Sequence, residues 1–175
     1  MNRHAAEQRG AGFLLMPGGI HAKNAADMAD LQKLSETIGR WMEREDRFAR
    51  LLGIQLQQVA PGYCQVSLEV TDDMLNAVGI THGGVTFALA DFAFAVASNS
   101  HGKTAVAITA QINYPSASRA GDRLVAEARE ANKTGRTGLY NIEVRNAESA
   151  LLALFTGTVY RRSDDVMDWI NGEKT

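Results

Sequence analysis

The chain has 175 residues, 45% of them hydrophobic and 22% charged, with a formal net charge of −2 at pH 7. That is room for one domain with a real core, and the near-neutral balance gives no electrostatic case for nucleic acid or an anionic membrane as partner. The single cysteine, Cys64, excludes an intramolecular disulfide; with no apolar run of spanning length and no export signal, the expected location is the cytoplasm.

Residues 1–24 are rich in Gly, Ala and polar groups and read as a flexible leader. From Ala25 to Leu52, Met28, Leu31, Leu34, Ile38, Trp41 and Met42 recur at three- and four-residue steps. This predicts helix, with Gly39 a candidate point of division. Residues 25–45 form a helical extension ahead of a main domain over 46–162, and 163–175 are a tail. Residues 54–60, closed by Pro61-Gly62, precede YCQVSLEVT, in which Cys64, Val66, Leu68 and Val70 alternate with polar positions. That pattern predicts a hairpin of two strands.

The stretch THGGVTFALADFAFAVAS (81–98) follows, apolar on every side of a helix apart from Asp91, and stopping near His101-Gly102. Four further strands are predicted at 104–114, 123–131, 137–145 and 150–160. Their short connectors, PSASRAGD, NKTGR and NAES, suggest antiparallel neighbours. A curved sheet covers only one side of an all-apolar helix, so the other side calls for a second helix or a second subunit, and a homodimer is the economical solution.

A lone carboxylate on a buried helix is costly to ionise without partners. Asp91 is therefore either a structural acid held by an amide or hydroxyl, or a base or nucleophile whose basicity burial raises. His82-Gly83-Gly84 is either a tight turn or a helix start whose unpaired N–H groups, with no side chain at Gly83 or Gly84, can polarise a ligand carbonyl. Gly83 and Asp91 are eight positions apart, about 12 Å along an ideal helix. A donor and a nucleophile acting on one carbonyl must each lie about 3 Å from it. Either the two are unrelated, or the site joins Gly83 of one subunit to Asp91 of another.

The segment NAVGITHGGVTFALADFAFAVASNS (76–100), followed by TAVAITAQINYPSASRAGD (104–122), resembles the hotdog-fold acyl-CoA thioesterases, above all the phenylacetic-acid-degradation (PaaI-type) branch. The resemblance covers about Phe48 to Arg161. It implies an α+β hotdog fold, in which an antiparallel sheet of about six strands wraps one long helix. It implies hydrolysis of acyl-CoA, in this branch phenylacetyl-CoA or hydroxyphenylacetyl-CoA, with no metal or other cofactor beyond the coenzyme A of the substrate. It also implies tetramers assembled as pairs of dimers.

By the same resemblance Asp91 is the catalytic carboxylate and Gly83 the oxyanion donor, with His82 and Asn76 lining the pocket. Some relatives have a hydroxyl residue one turn after the acid, where this chain has Ala95, so direct and water-mediated attack by Asp91 both stay open. Gly84, Arg119, Lys133 and Arg136 are candidates for substrate binding, the cations through coenzyme A phosphates. Cys64 reads as core, His101 as a partner of the helix C-terminus, and the histidines as lacking metal-ligand spacing. A hotdog-fold enoyl or hydroxyacyl thioester dehydratase and a non-catalytic acyl-CoA binder are the competing readings.

Overall fold

The structure, a computed structural model, describes residues 25–173; the predicted leader, with His4 and His21, lies outside them. The chain runs α1 (Ala25–Glu45), α2 (Arg47–Leu51), β1 (Gln55–Ala60), β2 (Tyr63–Glu69), a 3-10 turn (Asp72–Met74), α3 (Gly83–Asn99), β3 (Lys103–Asn113), β4 (Arg123–Lys133), β5 (Thr137–Arg145), β6 (Leu151–Asp165) and α4 (Val166–Ile170). The six strands form one antiparallel sheet in the order β1-β2-β4-β5-β6-β3. This is the hotdog fold that the resemblance implies.

The alternation in β2, β4 and β5 aims one row of side chains at α3. Cys64, Val66, Ala126, Ala128, Ile142 and Val144 are buried there, and α3 touches every strand. Phe94 enters the core from α3 and packs against Tyr140 and Phe155, with ring centroids 5.5 and 5.6 Å away. Burying such side chains is worth about 1.5–3 kcal/mol each. On α3 itself, Gly83, Phe87, Asp91 and Ala95 are half-buried, while the residues between them are buried, apart from exposed Gly84. The four-residue spacing makes these positions one uncovered stripe along the helix.

Gly39 does not divide the first helix. α1 runs unbroken through it, because a Cβ there would sit 3.1 Å from both Leu56 and Val59; glycine lets the helix press onto β1. The break comes at Asp46, whose Oδ1 accepts the N–H groups of Phe48 and Ala49 at 3.0 and 2.8 Å and starts α2.

β3 and β4 are not neighbours, although a short connector joins them. β3 pairs only with β6 and forms the far edge of the sheet, so residues 114–122 cross the sheet end beside the start of α3. β3 is largely exposed, Ile108 to 57%. β6 continues to Asp165, and α4 follows directly, with Trp169 Nε1 donating to Asp164 Oδ2 at 3.2 Å. No helix among the described residues is long and apolar enough to cross a membrane.

Candidate active site

The start of α3 is built by its own loop. Asn76 Oδ1 accepts the N–H groups of Val78 and Ile80 at 3.0 and 3.3 Å, folding residues 76–80 into a tight turn. Its Nδ2 has no partner among the described residues. His82 is the N-cap, and its Nδ1 accepts from Gly84 N–H at 2.9 Å. The neutral ring therefore carries its proton on Nε2. A Cβ on Gly84 would meet that Nδ1 at 3.0 Å, so glycine is what admits the imidazole. The Gly84 amide is thereby occupied by His82, whereas Gly83 N–H has no acceptor among the described residues, at the positive end of the helix.

The crossing connector completes this end. Tyr114 Oη donates to Gly83 O at 3.0 Å, and Ser118 Oγ donates to Thr81 Oγ1 at 2.7 Å. Asn76, Thr81, Gly83, Tyr114 and Ser116 line a cleft of about 280 Å³.

Asp91 faces a different cleft of about 180 Å³, together with Asp46, Phe48, Ile54, Phe87 and Phe92. Its carboxylate makes no hydrogen bond or ion pair among the described residues, so the structural acid weighed from the sequence is not what the fold builds. Burial raises its pKa above the usual carboxylate value, and the charge of Asp46 adds to the rise. The clefts of Gly83 and Asp91 have no lining residue in common.

A third cleft, larger than these two at about 560 Å³, is basic and lies where β3, β6 and the β4–β5 turn meet, lined by Lys103, Arg136, Tyr160, Arg161, Arg162 and Asp164 among others. Lys103 pairs with Asp165 and Arg162 with Asp164, each at 2.8 Å. Arg136 and Arg161 have no acidic partner among the described residues, and Arg161 Nε is buried without a hydrogen bond. The Arg161-Arg162 pair escaped the sequence reading; two adjacent arginines at the end of a strand were its only local signal.

Lys133 is placed elsewhere, with its Nζ 3.3 Å from His101 Nδ1. Arg119 is exposed, its N–H donating to Asp122 Oδ2 at 2.8 Å. His101 does not serve the helix end, as the sequence suggested: its Nε2 pairs with buried Glu130 at 2.5 Å, and Tyr140 Oη donates to the same carboxylate oxygen at 2.7 Å. Cys64 is fully buried, and that burial pushes its thiol up.

With this geometry in place, comparison with known proteins is specific. The Thioesterase superfamily profile matches residues 78–153. The chain is 40% identical to the acyl-coenzyme A thioesterase PaaI of Escherichia coli (strain K12) over 120 residues, 69% of this chain and 86% of that protein. The solved structure of the E. coli PaaI protein from the phenylacetic acid degradation operon superposes with a TM-score of 0.76 at 36% identity, covering 77% of this chain and 98% of that one. A Streptococcus mutans protein, smu.793, solved bound to acetyl CoA, superposes with a TM-score of 0.63 at 28% identity, covering 65% and 91%.

Proposed function

This chain belongs to the hotdog-fold acyl-CoA thioesterase family and is a thioester hydrolase; from that premise we propose that it hydrolyses arylacetyl-CoA of the phenylacetyl type, at reaction centres each built from two subunits. The observation that carries the second half is the separation of the clefts. The bare N–H of Gly83 and the bare carboxylate of Asp91 open into different hollows of one chain. Phe87 lies midway between them on the uncovered stripe. Two α3 helices packed antiparallel about an axis near Phe87 therefore bring each Gly83 level with the partner subunit's Asp91. The free edge of β3, with Val106 and Ile108 exposed, supplies an antiparallel seam for the same dimer. Family resemblance doubles that dimer into a tetramer.

At such a seam Gly83 N–H donates to the thioester oxygen, and its dipole stabilises the charge that grows there. Asp91 acts on the carbonyl carbon directly or by taking a proton from water. In the water route, hydroxide adds to the carbonyl carbon and the C–S bond of the tetrahedral intermediate breaks. The proton held by Asp91 passes to the departing thiolate, leaving the free acid and coenzyme A. In the direct route the C–S bond breaks to leave an acyl anhydride on Asp91 and a thiolate. A water molecule then hydrolyses the anhydride, supplying its hydroxyl to the acid and its proton to the thiolate. His82 Nε2–H and Asn76 Nδ2 remain to orient substrate or water. Phe48, Phe87 and Phe92 give the acyl side an aromatic wall, and about 180 Å³ is close to the volume of an apolar cavity that holds benzene, roughly 150 Å³. Arg136 and Arg161 suit the coenzyme A phosphates.

The test is release of thiol from a panel of acyl-CoA esters, read with a thiol-reactive dye. Phenylacetyl-CoA and hydroxyphenylacetyl-CoA are expected to have the highest kcat/KM. Hydration of an enoyl-CoA without thiol release, or tight binding with no turnover across the panel, contradicts the reading.

A further inference from the structure

We propose that Asp46 is a positioning residue for the hydrolysis, a second carboxylate held in the Asp91 cleft by the start of α2 and acting on the reaction through Asp91. The inference rests on the reading of Asp91 as base or nucleophile, and it lies outside the segment 78–153 that the family profile matches.

An aspartate at the start of a helix has an ordinary role, and Asp46 performs it with one oxygen. Oδ1 takes both N–H bonds, from Phe48 and Ala49. Oδ2 has no partner among the described residues, and the side chain lines the same hollow as Asp91. The cap thus fixes a charge in place: two backbone donors hold the group, so it cannot swing away when Asp91 ionises.

The other residues lining that hollow carry no ionisable side chain. On α2, Arg47 and Arg50 are exposed and outside the lining. On α1, Glu43 is spent on Arg40 and on the Leu56 N–H, and Arg44 on Glu45. His82, at the head of α3, holds the Gly84 amide. On the sheet behind α3, the titratable groups Cys64, Glu130 and Tyr140 are buried and lie outside that lining. Among the described residues of one subunit, Asp46 is therefore the one ionisable neighbour in the lining, and like charge makes the deprotonated form of Asp91 harder to reach and more eager to take a proton. Burial is the larger influence on Asp91 and Asp46 the second. A stronger base at this position speeds proton removal from water or attack on the carbonyl, provided the pH is high enough to ionise it.

The test uses Asp46→Asn in the full chain. Asparagine caps a helix as well as aspartate does and keeps the acceptor oxygen, so only the charge is lost. Two readings are taken: the acid limb of the kcat/KM profile against pH, and the titration of the Asp91 carboxyl followed by 13C NMR. Both midpoints are expected to move to lower pH in Asp46→Asn, with the plateau kcat reduced and the melting temperature unchanged. Asp46→Glu, which retains the charge, should leave the midpoints near those of the wild type. Midpoints that coincide in wild type and Asp46→Asn overturn the proposal, as does a loss of kcat that merely tracks a loss of melting temperature. If Asp46→Asn does not fold, Asp46→Ser, a second good cap without charge, takes its place under the same criteria. Failure here is distinct from failure of the Asp91 reading, which is an Asp91→Asn enzyme that still turns over, and the NMR midpoint reports on the pair whether or not the enzyme is active.

Discussion

Two carboxylates lie at or near the core beside α3, one at the middle of the helix and one beyond its C-terminal end, and the fold treats them in opposite ways. Beyond the C-terminal end, Glu130 is buried and accepts from His101 and Tyr140, with Lys133 close by. Burial alone pushes Glu130 up, but these hydrogen bonds and charges outweigh it and hold its carboxyl below the usual range. At the middle of α3, Asp91 has no such partner among the described residues, and burial together with Asp46 pushes it up. Glu130 is held by two donors on one oxygen, while its other oxygen is buried without a hydrogen bond among the described residues. An acid kept for chemistry is left bare on both, and its proton affinity rises. On the proposed reading one acid beside α3 is structural and the other reactive, so substitutions at Glu130 and Asp91 should give opposite profiles.

The largest effect expected is on stability at the C-terminal end. Glu130→Ala leaves His101 and the Tyr140 hydroxyl buried without their acceptor, and should cost about 3–5 kcal/mol in denaturant unfolding. Turnover per folded molecule should hardly change. In the wild type, the contribution of Glu130 is present above the usual carboxylate range and is lost as the pH falls below it, because its folded-state pKa is depressed. Loss of kcat with intact stability would break the comparison from this side.

Asp91→Asn should do the reverse, lowering turnover at least about a hundredfold, or about 2.7 kcal/mol of transition-state stabilisation. Since its folded-state pKa is raised, ionised Asp91 weakens the native state as the pH rises above the usual carboxylate range. The asparagine variant should therefore melt no lower than the wild type at neutral pH, in calorimetry, and activity in the wild type should climb along an acid limb above that range. A variant that is both inactive and unfolded would leave the two acids alike and defeat the contrast. The smallest effect is expected from the basic cleft. Arg136→Ala with Arg161→Ala should raise KM for acyl-CoA by roughly tenfold with kcat preserved, as for groups that bind ground and transition states equally. Hydrolysis of the matching S-acyl pantetheine, which lacks the nucleotide, should be unaffected.

Much of this was legible in the sequence where the signal is local. Period-two alternation marked β2, β3 and β5, turn signals bounded the other strands, and β6 runs five residues past the expected end at 160. β3 alternates in sequence although the fold leaves most of it exposed. The helix carrying Asp91 was legible because nothing else in the chain is apolar on every side. What stayed hidden depended on distant residues. The position of β3 at the far edge follows from the crossover past the helix start, which a short connector does not announce. Glu130 meets His101 across 29 positions, so each looked like an ordinary strand or helix-end residue. Asp46 was invisible as a neighbour of Asp91, since an aspartate before a helical run reads simply as a cap, and Arg161 acquires meaning only beside Arg136.

The central claim, that Gly83 and Asp91 meet across two subunits, is tested most directly by mixing Gly83→Val protein with Asp91→Asn protein after unfolding and refolding them together. Each variant alone should be nearly inactive. Random pairing makes half the dimers hybrid, each with one intact centre, so the mixture should regain about a quarter of wild-type turnover. Hybrids confirmed by native mass spectrometry that remain as inactive as their parents would contradict the account.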